Sequence, residues 1–200
     1  MSTVEVNPVK PLSLRRALRV MLVTFGGVTG LILILVFVAF LLLKVEVEVG
    51  SENELALIVV SAAISSGFFA ATGVALWFTR AVNARSATLF QGSSFPPRLA
   101  NRALFRGQTM PSDQEDRVVL RRYAELQLVN VPLGTALYLA LAGAMIAPQL
   151  SSALILPEPP LLMSARVGLI ALLVAASIAQ VTLHVVNIRR IRRYLAANPA

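Results

Sequence analysis

The sequence contains no cysteine and only one histidine, His184. Without thiols the chain cannot form disulfide bonds, use thiolate catalysis or bind metals through cysteine. The apolar segments offer no second histidine or carboxylate beside this imidazole, so they do not provide a metal site, and a Ser-His-Asp arrangement would lack its acid. We therefore expect a protein that holds no metal or other cofactor and that is not an enzyme.

Charged side chains are scarce as well, since the 200 residues include 18 lysines and arginines and 10 aspartates and glutamates. The segments that contain no charge are residues 20–43, 55–79, 126–157 and 167–188. A soluble chain would place charge on every exposed helix face, whereas a helix that crosses about 30 Å of hydrocarbon needs about 20 apolar residues. Each segment exceeds that length. The pattern excludes a soluble globular domain and predicts an all-α membrane protein.

The four segments predict a four-transmembrane-helix bundle that forms a single membrane domain over residues 1–200. The expected spans are about residues 20–43, 55–78, 126–147 and 166–188, with a long loop at 79–125. Ser112 and Glu115 form a capping-box pattern, so a helix should start there, enter the third span and end at Pro148. We therefore expect helical extensions beyond the membrane on the side of the long loop.

The charges outside the spans alternate in sign along the chain. Residues 1–19, 80–125 and 189–200 carry net charges of +3, +4 and +4, whereas residues 44–54 carry −3 and residues 158–166 are neutral. Lysine and arginine near helix ends mark the cytoplasmic side, so both termini and the long loop are predicted to be cytoplasmic. Sixteen arginines against two lysines are typical of a GC-rich bacterial genome. These patterns indicate a multi-pass protein of the bacterial cytoplasmic membrane.

Arginines follow a helical spacing in the long loop. After Pro97 they recur at every fourth residue and leave Leu99, Ala100 and Leu104 on another face, which indicates a short amphipathic helix at the membrane surface. A solvated loop is the alternative. The basic tail after the fourth span should also lie along the head groups, through an apolar face made of Ile191, Tyr194 and Leu195. We expect these basic residues to set topology and to meet lipid rather than nucleic acid. The arginines expected to contact anionic lipid or a partner protein are Arg98, Arg102, Arg106, Arg189, Arg190, Arg192 and Arg193.

Small and polar residues form stripes along the spans, and such residues hold helices together in lipid. In the fourth span, Ser177, Gln180, His184 and Asn187 have spacings of three, four and three, which places them on one face. The candidate helix-packing residues are Gly26, Gly30, Ser66, Gly73 and Gly134. The candidate buried polar layer consists of Thr24, Asn130, Thr135, Gln180 and His184. By depth we expect Thr24, Asn130 and His184 to share one level and Thr135 and Gln180 the next.

These features favour a non-catalytic integral membrane protein. It would be an accessory or assembly subunit of a larger bacterial membrane complex, or a small homo-oligomer, with membrane lipids and another membrane protein or itself as partners. The alternative is a small transporter or channel for an uncharged or lipid-like substrate, which the neutral polar layer and a kink at Pro132 would suit. A third possibility is an enzyme acting on lipid head groups, with arginines binding phosphate and His184 as acid or base.

Overall fold

The computed structural model describes residues 13–43, 52–107, 111–155 and 159–198, and the regular structure in these ranges is helical, with no strand. The helices are α1 (Leu14–Leu43), α2 (Glu52–Leu89), α3 (Pro97–Arg106), α4 (Gln114–Ile155) and α5 (Pro160–Ala197). Part of the charge used to predict orientation lies outside the described residues, namely that of residues 1–12, 44–51 and 156–158.

Four of these helices, α1, α2, α4 and α5, are long and apolar enough to cross a membrane, with mean hydropathies between 1.6 and 2.5 over their most apolar windows. Large apolar side chains cover their outer surfaces; Leu22, for example, is 71% exposed and Trp77 66% exposed. Such a surface is costly in water and suits hydrocarbon. The prediction of an all-helical chain with four helices that could span a membrane is therefore confirmed.

The long helices lie side by side in the order α1, α2, α4, α5. The most extensive interface joins α2 to α4, while α1 packs against α2 and α5 packs against α4. Within the described ranges α1 meets α4 only slightly, and α5 contacts neither α1 nor α2. The helices thus form an open row, and these contacts do not confirm the predicted four-helix bundle.

The helix α4 passes through both of its prolines and ends at Ile155, so the predicted end at Pro148 is wrong. Proline has no N–H, and the carbonyl four residues earlier, that of Ala144, therefore loses its helical donor. The Ser65 hydroxyl of α2 donates to this carbonyl at 2.8 Å. A side chain from a neighbouring helix thus replaces the missing hydrogen bond, which is how a membrane helix tolerates proline.

The start of α4 also differs from the capping-box prediction. The helix begins at Gln114, so the residue before it is Asp113 rather than Ser112. The backbone N–H of Glu115 donates to Asp113 Oδ1 at 3.4 Å, and the N–H of Arg117 donates to the Asp113 carbonyl at 3.1 Å. Aspartate accepts this bond as well as serine does, so the cap moves by one residue.

The short helix α3 forms as the arginine spacing predicts, but the apolar face expected to lie on the membrane packs against other helices. It is buried in a cluster formed by Phe95, Ala100, Ala103, Leu104, Leu120, Tyr123, Ala124 and Ile191. The predicted membrane-facing residues of the tail, Tyr194 and Leu195, pack against the same cluster. The apolar faces of α3 and of the end of α5 therefore cover each other and the start of α4, so these faces are not free to lie on a membrane surface.

Candidate functional site

The polar stripe of α5 faces its neighbour α4. Ser177, Gln180, His184 and Asn187 are half-buried, whereas Leu183, between two of them, is 57% exposed. The Nδ1 atom of His184 lies 3.0 Å from the Thr135 hydroxyl of α4. The structure therefore brings together two residues of the predicted polar layer across the α4–α5 interface.

The hydrogen bonds of Thr135 determine which nitrogen of His184 carries a proton. Its hydroxyl also lies 3.1 Å from the carbonyl of Val131, one turn earlier in α4. A hydroxyl has a single proton, so both bonds form together only when Thr135 donates to Val131 and accepts from His184. The imidazole then carries a proton on Nδ1. This arrangement satisfies polar groups at an interface and needs no acid beside the histidine.

The other members of the predicted layer lie elsewhere. Thr24 is half-buried on α1, a helix that does not contact α5 within the described ranges. Asn130 donates to the side-chain oxygen of Gln127 on its own helix at 3.4 Å. Gln180 lies on the half-buried face of α5. The sequence groups these residues only by their depth along the spans. Because the helices form an open row, Thr24 on α1 lies apart from the residues of α5.

The predicted packing residues do not make the close contacts between helices. A Cβ atom built on Gly26, Gly30, Gly73 or Gly134 would have nothing within 4 Å outside its own helix. The Ser66 hydroxyl donates to the Ala62 carbonyl of its own helix at 2.8 Å. Within the described part of this chain, these residues are not what brings two helices close together.

Two other glycines make the closest approaches. A Cβ on Gly67 of α2 would lie 2.9 Å from the Phe25 carbonyl oxygen of α1 and would overlap the Thr29 hydroxyl. A Cβ on Gly143 of α4 would lie 2.8 Å from the Phe68 ring. The Phe68 ring in turn lies 4.7 Å from the Phe25 ring. These contacts join α1, α2 and α4.

The sequence did contain a pattern for these contacts. Ala63, Gly67 and Ala71 have the same four-residue spacing as Ala62, Ser66 and Ala70, but they lie on the adjacent face of α2. Ala63 is fully buried, and its carbonyl accepts the Thr29 hydroxyl at 3.3 Å. Two small-residue stripes side by side could not be ranked by spacing alone.

A polar clasp attaches the turn before α3 to the first turn of α4, outside the charge-free segments. The hydroxyls of Ser93 and Ser94 each donate to one carboxylate oxygen of Asp116, both at 2.7 Å. The hydrogen bond from Ser94, and then that from Ser93, lower the pKa of Asp116 below its ordinary value of 3.8, and burial opposes them. Asp116 therefore has a specific structural role beyond the general preference of acids for helix N-termini.

We expect Asp116→Asn to lower the melting temperature at neutral pH by roughly 2–4 °C, because one charged acceptor of two hydroxyl bonds is lost. The folded-state pKa is lower than the unfolded one, so the carboxylate stabilises the fold above pH 3.8 and loses this effect as pH falls through the folded pKa. The difference between variant and wild type should shrink in acid, as measured by thermal unfolding against pH. Glu125→Gln, at an exposed ion pair with Arg121, is the control. A difference that persists unchanged in acid would contradict this role.

A basic pocket, which we call the arginine pocket, lies between α3 and the end of α5. It has a volume of about 490 Å³ and is lined by Arg98, Asn101, Arg102, Phe105, Arg106 and Asn187. The structure thus brings together the three predicted arginines of α3 and adds Asn187 from the polar stripe of α5. Of the predicted basic residues in the tail, Arg190 donates to the Phe105 carbonyl. The others, Arg189, Arg192 and Arg193, are exposed on α5.

The arrangement can satisfy polar groups between helices and can attract anions at one end of the row. In the described part of the chain no group of three or more histidine, aspartate and glutamate side chains is placed to hold a metal ion. Comparison of the chain with protein-family models, with curated proteins and with solved structures finds no match.

Proposed function

We propose that this chain is a non-catalytic membrane protein that acts by association in the bilayer. It would serve as an accessory or assembly subunit of a larger bacterial membrane complex, or as a small homo-oligomer. The observation that carries the proposal is the open row of helices. Because α1 and α5 each border a single long neighbour for most of their length, a large part of each is available to another helix.

The outward surface of α1 supports this reading. Gly26 and Gly27 are exposed and Gly30 is half-buried, and a Cβ on any of them would meet nothing within 4 Å. Small residues allow two helix backbones to approach closely in lipid, where apolar burial alone gives little preference for protein over lipid. A helix of a second membrane protein, or α1 of a second copy, could occupy this surface.

The distribution of charge supports an orientation with both termini in the cytoplasm. Ala17, near the start of α1, lies in one cluster with Phe78 and Val82, near the end of α2. The α3 cluster joins Leu120, near the start of α4, to Ile191, near the end of α5. The end of α2, the start of α4 and the end of α5, which are basic, therefore lie at one end of the row of helices. The positive-inside rule would assign that end to the cytoplasmic side of an inner membrane.

Cysteine cross-linking tests the proposal, because the chain has no cysteine of its own. Gly26→Cys and Gly30→Cys should form disulfide-linked products in oxidised native membranes, either at twice 21.5 kDa or with another protein identified by mass spectrometry. The matched control is Leu35→Cys, which is exposed, at 58%, but points about 180° around the helix from Gly26 and about 140° from Gly30. This control should not form disulfide-linked products.

Cross-linking by none of these variants, together with gentle extraction that recovers only monomer, would overturn the proposal. Equal cross-linking by all three would indicate random collision rather than a specific face. His184→Ala and Gln180→Ala should leave solute flux unchanged, because the proposal gives these residues a packing role.

One observation favours the alternative of a transporter for a lipid-like substrate. A groove of about 440 Å³ lies between α4 and α5, and its lining is apolar apart from Ser177 and Thr182. An acyl chain would fit such a surface. If purified protein moves lipid or an uncharged solute between liposome compartments, and Ile178→Trp in the groove abolishes this movement, the transporter replaces association as the function.

A further inference from the structure

The arginine pocket has a defined shape, because the helix that carries its arginines is held in place by contacts with α4 and α5. The apolar face of α3 is buried in the cluster around Leu104 and Ile191, which leaves the arginines of α3 exposed beside Asn187 of α5. Arg190 of α5 donates to the Phe105 carbonyl at the end of α3. Gly107, in the left-handed region at φ 65°, ends the helix, and its backbone N–H donates to the backbone carbonyl of Arg102. These contacts hold the pocket in place before any ligand arrives.

The polar groups of the pocket suit an anion. Arg98, Arg102 and Arg106, all exposed, line one concavity, and no carboxylate is among its lining residues. In the described ranges none of the three forms an ion pair; the ion pair found there joins Arg121 to Glu125. Guanidinium groups bind phosphate through paired N–H donors. Three positive charges with no carboxylate beside them therefore favour an anion such as a phosphate group.

Two amide side chains add neutral donors. The Tyr123 hydroxyl donates to Asn101 Oδ1 at 2.6 Å, which fixes this amide and leaves its nitrogen as a donor. Asn187 contributes a second amide from α5. Arginine and amide donors together match a phosphodiester, which carries one negative charge and several acceptor oxygens.

The position of the pocket identifies the source of the phosphate. Asn187 lies at the end of the charge-free segment 167–188, so the pocket stands where α5 leaves hydrocarbon and reaches the level of the head groups. Phe105, which is half-buried in the lining, provides an apolar wall for the glycerol and the first acyl carbons. A volume of about 490 Å³ lies in the range of small-molecule sites.

We propose that the arginine pocket binds the phosphate of an anionic membrane phospholipid. The site is independent of whether the protein associates through α1, and it is tested on the full chain in detergent. Native mass spectrometry counts the molecules of phosphatidylglycerol that the protein retains, with phosphatidylcholine as the neutral-headgroup comparison. The wild type should retain phosphatidylglycerol preferentially.

The pocket variant Arg98→Gln with Arg102→Gln should lower the apparent affinity for phosphatidylglycerol by about tenfold or more, since two charge-assisted donors are lost. The control Arg15→Gln with Arg19→Gln removes the same charge, at the same four-residue spacing, from exposed sites on α1 outside the pocket and should change the affinity less than about twofold. Asn187→Leu leaves the charge unchanged and should weaken binding severalfold. It also serves as the test variant if the double arginine variant does not fold.

Equal losses in pocket and control variants, or no loss in both the arginine and the Asn187 variants, would overturn the proposal. Displacement of bound lipid by millimolar glycerol 3-phosphate would also overturn it, because the pocket would then recognise soluble phosphate compounds. Retention of an acidic protein segment in place of phosphatidylglycerol would assign the pocket to a protein partner instead.

Discussion

Replacing Gly67 with alanine should destabilise the protein, whereas the same change at Gly73 should leave it unchanged or stabilise it. Both glycines belong to α2, and both changes gain about 1 kcal/mol of helix propensity. They differ only in their surroundings. A Cβ at Gly67 would meet the Phe25 carbonyl at 2.9 Å, whereas a Cβ at Gly73 would have nothing within 4 Å.

The expected loss is about 1–3 kcal/mol in the free energy of unfolding, the usual cost of overpacking a well-packed interface. The obstacle is backbone, which cannot rotate away as the end of a side chain can, so α1 must shift relative to α2. The Thr29 hydroxyl is the other close atom. Adding Thr29→Ala should therefore recover part of the loss and leave the contribution of the carbonyl.

Thermal unfolding of the full chain in one detergent measures all of these variants. The pair Gly143→Ala and Gly134→Ala repeats the comparison on α4, and the former should be milder because its obstacle is the Phe68 side chain. Equal stability of the Gly67 and Gly73 variants would contradict a tight contact between α1 and α2 at Gly67.

The number of long helices could be predicted because hydrocarbon imposes a strict rule on charge and length. Residues 167–188, for example, carry no charge, and a helix of a soluble protein would carry charge on its exposed face. The side-by-side order could not be predicted, since each long helix is apolar around most of its surface. For the same reason, spacing does not rank the stripe of Ala62, Ser66 and Ala70 against that of Ala63, Gly67 and Ala71. The positions of Phe25 and Phe68 show that the second stripe makes the close contacts.

The candidate sites divide in the same way. Spacing alone placed the four polar residues of α5 on one face and the three arginines of α3 on another, because helical periodicity is local. The hydrogen-bond partner of His184 is distant in sequence. Depth along the spans groups His184 with Thr24 and Asn130, whereas the structure pairs it with Thr135. The arginine pocket likewise needs Asn187, which is distant in sequence and reaches α3 only through the tertiary fold.

Ser65 and Pro148 should be energetically coupled although they belong to different helices. Pro148 cannot donate to the Ala144 carbonyl, and the Ser65 hydroxyl supplies the bond at 2.8 Å. Ser65→Ala leaves this carbonyl without a donor in an apolar environment and should cost about 1 kcal/mol. In a Pro148→Ala background the new backbone N–H reaches the same carbonyl, so Ser65→Ala should then cost little.

A double-mutant cycle on Ser65→Ala and Pro148→Ala, followed by unfolding in mild detergent, isolates this coupling. The matched control is Ser66→Ala, because the Ser66 hydroxyl bonds the Ala62 carbonyl of its own helix, which already accepts a backbone N–H. Its effect should be small and the same in both backgrounds. If Ser65→Ala costs as much with alanine at position 148 as with proline, the serine is a general contact between α2 and α4 and the passage of α4 through Pro148 has another cause. If the cost disappears, the α2–α4 pairing explains why a helix that the sequence predicted to stop at Pro148 continues to Ile155.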